Sequence, residues 1–295
     1  MVKVIVVEVD GGVCSQLTFF AKALAEAKKG NKVFLDLKWY KSGHTDLTGT
    51  AARPYLLPKM IDSGKLFGSA SRFLVRTAKF CARKGWFKSL IDYRKGYEDY
   101  YIGVAESLSD LRSCFKINLA DLTPGQTAAL SEIKSNLSCG VHCRRGDLAG
   151  DNPVYGRELP ASYFANVIGR LYSANPEMVF FFFSDEMDWV EANVVPLLPG
   201  GISKRFISSG DDGCHVGLFL LSNCKTIISS NGSMGRFAWL LSDSDSVLYS
   251  SRVDGPSFPR QVRDAVLADV PGKVLMVCDD DGNVNCRHSG DGQGL

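Results

Sequence analysis

The chain has 295 residues, 45% of them hydrophobic and 22% charged, enough for one large domain or two of ordinary size. A formal net charge of +2 exerts no global pull on nucleic acid or acidic partners, so any attraction must be local. No stretch approaches the roughly 20 apolar residues of a membrane-spanning helix.

Residues 2–9, rich in Val and Ile, predict a buried strand rather than a secretory signal. Gly11-Gly12 breaks it, and Leu17, Phe20, Ala21, Leu24 and Ala25 then share one helical stripe. Gly30-Asn31 ends that helix, and 32–36 returns as a strand, completing a βαβ unit that favours a parallel sheet. Between 40 and 135 the periodicity is weaker. Arg72, Arg76, Lys79 and Arg83 recur at helical spacing, with Phe73, Phe80 and Phe87 on a neighbouring face. This basic amphipathic segment over 72–88 reads either as a core helix with a solvated face or as a peripheral contact with anionic lipid.

The second half alternates regularly. Strand 139–143 precedes a helix carrying Tyr163, Phe164, Val167, Ile168 and Leu171. The pure apolar run 178–183 is then a central parallel strand. A helix at 186–194, strand at 204–208, helix at 214–222, strand at 225–229, helix at 233–241 and strand at 246–249 follow. Such alternation predicts a doubly wound parallel sheet. The tail from Asp279, opening with three consecutive aspartates and holding few core residues, is expected to be mobile. Domains are thus expected at 1–135 and 136–278, with 279–295 as the tail. Nine cysteines, irregularly spaced and lacking zinc spacing at Cys139/Cys143 or Cys278/Cys286, imply reduced thiols and a cytoplasmic setting.

Ligands of open α/β sheets bind outside the carboxyl ends of the strands, and four features fall there. Gly11-Gly12 with Gln16 follows the first strand, without the third glycine of a dinucleotide fingerprint. His142, Arg144, Arg145, Gly146 and Asp147 close the central strand. Paired arginines present planar forks that match phosphate oxygens, so the cluster suits a diphosphate. Asp185 ends the next strand and either meets a ligand hydroxyl or caps a helix. Ser229-Ser230-Asn231-Gly232-Ser233 joins strand to helix as an anion site, an N-cap, or both.

Taken in order, Gly-Gly-x-x-x-Gln-Leu, Val-His-x-Arg-Arg-Gly-Asp, Phe-Ser-Asp followed by Trp189, Leu-Ser-x-Cys-Lys, Asn-Gly-Ser and Ala-Trp-Leu resemble the α1,2-fucosyltransferases, glycosyltransferase family 11. The resemblance runs from about residue 9 to 250. It implies a GT-B architecture of two facing Rossmann-like domains, with the first on the acceptor side and the second holding GDP-fucose. It also implies fucose transfer to the 2-hydroxyl of a terminal galactose, with inversion, no essential metal and no cofactor beyond the donor. The acceptor would be a galactose-terminated surface glycan such as O-antigen, free or lipid-linked, with the enzyme cytoplasmic or peripheral to the inner membrane. By that resemblance Arg144 holds the diphosphate, with Arg145 beside it, and Ser233 binds phosphate from a helix N-terminus. His142 orders the loop of Arg144 or touches the donor, and Asn231, Asp185, Gly12 and Gln16 are further candidate donor contacts. For the base that accepts the acceptor proton, Asp147 and then Asp151 are the nearest carboxylates, with Glu158 further along. Cys14 and Ser15 stand where the family has Gly and Asn. Gly217 stands where an acidic residue is usual, leaving Asp211, Asp212 and His215 as nearby groups for reading the base.

Overall fold

The computed structural model describes residues 2–45, 52–96, 100–146, 158–207, 213–230, 232–243, 245–251, 270 and 272–289. It divides into two compact units, Met1–Ile117 and Asn118–Leu295. The division falls earlier than the expected boundary at 135. Helix α5 (Pro124–Ser135) opens the second unit, begun by a Thr123 capping box closed by Gln126, and packs on the helix at 214–222.

The first unit is built on three parallel strands, β1 (Val4–Glu8), β2 (Lys32–Asp36) and β3 (Ile91–Arg94), in the order β2-β1-β3. Helix α1 (Val13–Lys28) makes the expected crossover. It is buried on more than one stripe, because α4 (Tyr100–Cys114) packs on it in addition to the sheet. A short α2 (Leu57–Met60) and the basic helix α3 (Arg72–Lys84) come between β2 and β3. Residues 97–99 lie outside the described set.

The second unit carries a seven-stranded sheet. Its strands are β4 (Ser138–Cys143), β5 (Val179–Ser184), β6 (Ser203–Ile207), β7 (Thr226–Ser229), β8 (Ser246–Ser251), β9 (Lys273–Cys278) and β10 (Val284–Ser289). The order β10-β9-β8-β7-β4-β5-β6 is parallel throughout except for β10. Setting β10 aside, this is the dinucleotide-fold order, with β4 as first strand and the direction of winding reversing between β4 and β7. Phe180 to Phe183 are all buried in β5, because helices cover both faces of a central parallel strand. Helices α6 (Ala161–Ala174), α8 (Cys214–Ser222) and α9 (Met234–Leu241) supply the crossovers.

Two expectations are corrected. Asp279 does not begin a structureless tail. Its carboxylate accepts from the N–H groups of Asp281 and Asn283, forming a turn that returns β10 antiparallel to β9. The helix expected at 186–194 is only α7 (Met187–Trp189). It widens into a π segment to Val194 and tightens into a 3-10 turn at Val195–Leu197, where Pro196 removes a donor and crowds the preceding turn.

Candidate functional site

The reversal point brings two of the sequence features together. The Arg144 N–H donates to Ser230 Oγ at 2.9 Å, and the Ser230 N–H donates to the His142 carbonyl at 2.9 Å. These bonds join the loops leaving β4 and β7. The Arg144 stem runs past Gly232, where a Cβ would lie 3.9 Å from its Cδ. Gly232 has φ of +107°, a conformation that favours glycine. Ser233 then opens α9 with its hydroxyl making no capping bond. The helix starts close because Gly235 lacks a Cβ, which would fall 2.2 Å from Ser229 Oγ. The Arg144 stem and the start of α9 are therefore neighbours, an arrangement suited to an anion.

His142 lies one residue before the end of β4 with its side chain buried, and its Nδ1 has no hydrogen-bond partner among the described residues. Burial, with Arg144 beside it, pushes its pKa down to about 3, so the ring is neutral at physiological pH. A buried unpaired nitrogen is costly in a native fold, and a ligand atom is one way of satisfying it.

The two adjacent arginines have different surroundings. Arg145, expected among the donor contacts, forms ion pairs with Glu158 at 2.7 Å and Glu186 at 3.4 Å. Its guanidinium carbon lies 3.7 Å from the centre of the Trp189 ring. Asp185 Oδ1 accepts from the Arg145 N–H at 2.9 Å, and a Cβ on Gly146 would meet Asp185 Oδ2 at 2.8 Å. The expected helix-capping use of Asp185 is not the observed one, since Ser184 Oγ accepts from the Glu186 N–H instead. Arg145, Gly146, Asp185 and Trp189 thus form a clamp that fixes the loop after β4.

In the first unit Gln16 is also corrected. It is fully buried, donates to the Pro54 and Gly11 carbonyls and accepts from the Leu56 N–H, so it pins segment 54–56 rather than meeting a donor. That pinning sets Arg53 over Gly12, where a Cβ would lie 3.4 Å from its Nη1. Around this turn stand aromatic rings that sequence reasoning passed over. Trp39 stacks on His44 at 4.9 Å, Tyr40 meets Tyr55 at 5.4 Å, and the Tyr40 hydroxyl donates to the Gly11 carbonyl. The signal was Trp39-Tyr40 three residues after β2. Arg236, buried in the first turn of α9, was also missed; burial raises the Tyr163 pKa, and the charge of Arg236 works against that rise. Asp147, Asp151, Asn231, Asp211 and Asp212 lie outside the described residues.

The family model for glycosyl transferase family 11 matches residues 110–257, a span that holds β4, β7, the clamp and the start of α9. The chain belongs to glycosyl transferase family 11. It is therefore a glycosyltransferase of the fucosyltransferase type, and its fold is GT-B. An α-1,2-colitosyltransferase from Escherichia coli is 25% identical over 268 residues, covering 80% of this chain and 87% of that protein. The structure of an α-1,6-fucosyltransferase, NodZ, soaked with GDP-fucose superposes with a TM-score of 0.50 at 14% identity, covering 82% of this chain and 93% of that one. POFUT1 in complex with GDP gives 0.48 at 9% identity, with coverage of 82% and 95%. Among the described residues of this family 11 chain, no group of three or more His, Cys, Asp or Glu is placed to hold a metal ion.

Proposed function

We propose that this enzyme transfers L-fucose from GDP-fucose to the 2-hydroxyl of a terminal galactose in a surface glycan such as O-antigen, with inversion and without a metal. The observation that carries the donor reading is the proximity of the Arg144 stem to the start of α9 at the sheet reversal. Departing GDP gains negative charge, and a fixed guanidinium with aligned N–H groups stabilises that charge in place of a divalent cation. His142 supplies a neutral ring nitrogen to the same ligand, and Ser233 a hydroxyl. The acceptor side falls to the first unit, where Trp39, Tyr40, His44 and Tyr55 gather beside Gly12 and Arg53. Aromatic faces bind the apolar faces of sugar rings while polar groups take the hydroxyls. Asp147 is the proposed base, with Asp151 the alternative.

The test is product formation from GDP-fucose and a panel of β-galactosides, followed by linkage analysis. A 2-linked galactose is the expected product, and GDP should bind at least tenfold more tightly than UDP or CMP. Transfer to no galactoside, with no nucleotide preference, would refute the reading.

The relationship to a colitosyltransferase over most of the chain favours one second reading, in which the transferred sugar is colitose, fucose without its 3-hydroxyl. A site built to hydrogen-bond that hydroxyl rejects the deoxy sugar by about 10⁴-fold, whereas an apolar pocket rejects the extra hydroxyl by only about 10²-fold. Measuring kcat/KM for both donors separates the readings by the sign and size of the ratio.

A further inference from the structure

Helix α3 and the turn after it present a face that the fold does not use. Val75, Ala78 and Cys81 are buried, and Val75 and Ala78 pack with Val6, Ile91 and Tyr93 of the first sheet. Lys79 also turns inward, pairing with Asp36 at 3.3 Å and Glu8 at 3.6 Å. The outward stripe reads Phe73, Arg76, Phe80, Arg83, at spacings of three, four and three residues. Phe73 is 80% exposed and Phe80 is 51% exposed.

Past Lys84 the chain doubles back through Gly85 and Phe87, with φ of +68° and +54°. The N–H groups of Leu90 and Ile91 both donate to the Phe87 carbonyl. This turn holds Trp86 and Phe87 outward, 58% and 63% exposed, with Trp86 edge-on to Phe80 at 6.0 Å. A bulky residue in the left-handed region is an outlier. Here that unfavourable backbone serves to project an aromatic ring into solvent, which folding alone would not select.

Arg72, Arg76, Arg83, Lys84 and Lys88 are exposed on the same segment, and none forms an ion pair among the described residues. No Asp or Glu occurs between Asp62 and Asp92. The helix axis runs about 20 Å at 1.5 Å per residue, so aromatic and cationic groups alternate along one continuous face.

We infer that this face docks on the surface of an anionic phospholipid bilayer. The rings enter the boundary between headgroups and acyl chains, and the five cations meet the headgroup phosphates. A second copy of the chain is a poor occupant, because a two-fold contact would set these cations against their own counterparts. The inference draws on the proposed function only for its purpose, which is to hold the enzyme beside a lipid-linked acceptor. Its measurement needs no turnover.

The intact protein is sedimented with vesicles of phosphatidylcholine alone or mixed with phosphatidylglycerol, at low and high salt. Binding should require the anionic lipid and weaken with salt. Each cation contributes roughly fivefold to partitioning, so Arg72, Arg76, Arg83 and Lys84 changed together to Gln should weaken it by about 10²- to 10³-fold. Trp86→Ser with Phe87→Ser should weaken it at least tenfold, and both variants should turn over a soluble galactoside like the parent. Independently of either variant's folding, brominated lipid should quench the fluorescence of the intact protein and quench Trp86→Phe much less. Absence of binding by the intact protein, equal binding to neutral vesicles, or undiminished binding by both variants would overturn the inference. So would a solution dimer that Trp86→Ser with Phe87→Ser dissociates.

Discussion

Replacing Arg144 and Arg145 by alanine, one at a time, should damage different properties of the enzyme. Arg145 is only 14% exposed, but its partners Glu158 and Glu186 are 32% and 42% exposed. Solvent screening therefore keeps each ion pair to about 0.5 kcal/mol. The contact with Trp189 adds about 1 kcal/mol. Truncation also leaves two carboxylates facing each other, so the total cost to stability is about 2 kcal/mol. For a unit of this size that lowers Tm by about 4–8 °C. Arg144→Ala should lower kcat/KM by 10²-fold or more. That corresponds to about 3 kcal/mol of lost transition-state stabilisation. The assay pairs thermal denaturation with steady-state transfer from GDP-fucose and GDP titration. If Arg145→Ala abolished GDP binding while Tm held, or Arg144→Ala kept normal kcat/KM, the division of labour would be refuted.

Activity should survive EDTA, and a loss restored by manganese or magnesium would contradict the assignment of charge stabilisation to Arg144 and α9. His142, held near pKa 3 against an ordinary 6.5, takes a proton in the unfolded chain before it does so in the fold. Stability should therefore fall as pH drops from about 6.5 towards 3, by about 2 kcal/mol at pH 5; His142→Asn should flatten the dependence of Tm on pH in that window, and an unchanged slope would show that the titration lies elsewhere. Gly235→Ala places a Cβ against buried Ser229 and should cost about 1–3 kcal/mol, measurable in urea unfolding; a neutral effect would mean α9 can move off β7. Asp147→Asn should lose turnover and keep GDP affinity, with Asp151→Asn near normal; the reverse pattern would transfer the role of base to Asp151.

Much of the second unit was legible from local pattern alone. The run of Phe180 to Phe183 could only be a strand covered on both faces, and the helix at 214–222 appears where its composition placed it. The βαβ opening and the clustering of function at strand ends also follow from periodicity and glycine placement, which are local properties. Family resemblance paired Arg144 with Ser233, and the fold brings the Arg144 stem beside Gly232, the residue before Ser233.

Other features depend on what a segment touches. The Asp-rich tail reads as disordered until β9 offers an edge with which β10 can pair. Helix α5 joins the second unit because its buried side chains Leu130 and Ile133 find their cover there. Arg144 and Arg145 have the same chemistry in adjacent positions, so no local rule separates them. Only the fold puts Trp189, Glu158 and Glu186 around one and the loop of Gly232 beside the other. Gln16 looked like a ligand contact for the same reason, since an amide facing solvent and one satisfied by three backbone groups have the same letter. Pairing, burial and the choice of partner are set by residues distant along the chain, and tertiary contact alone decides them.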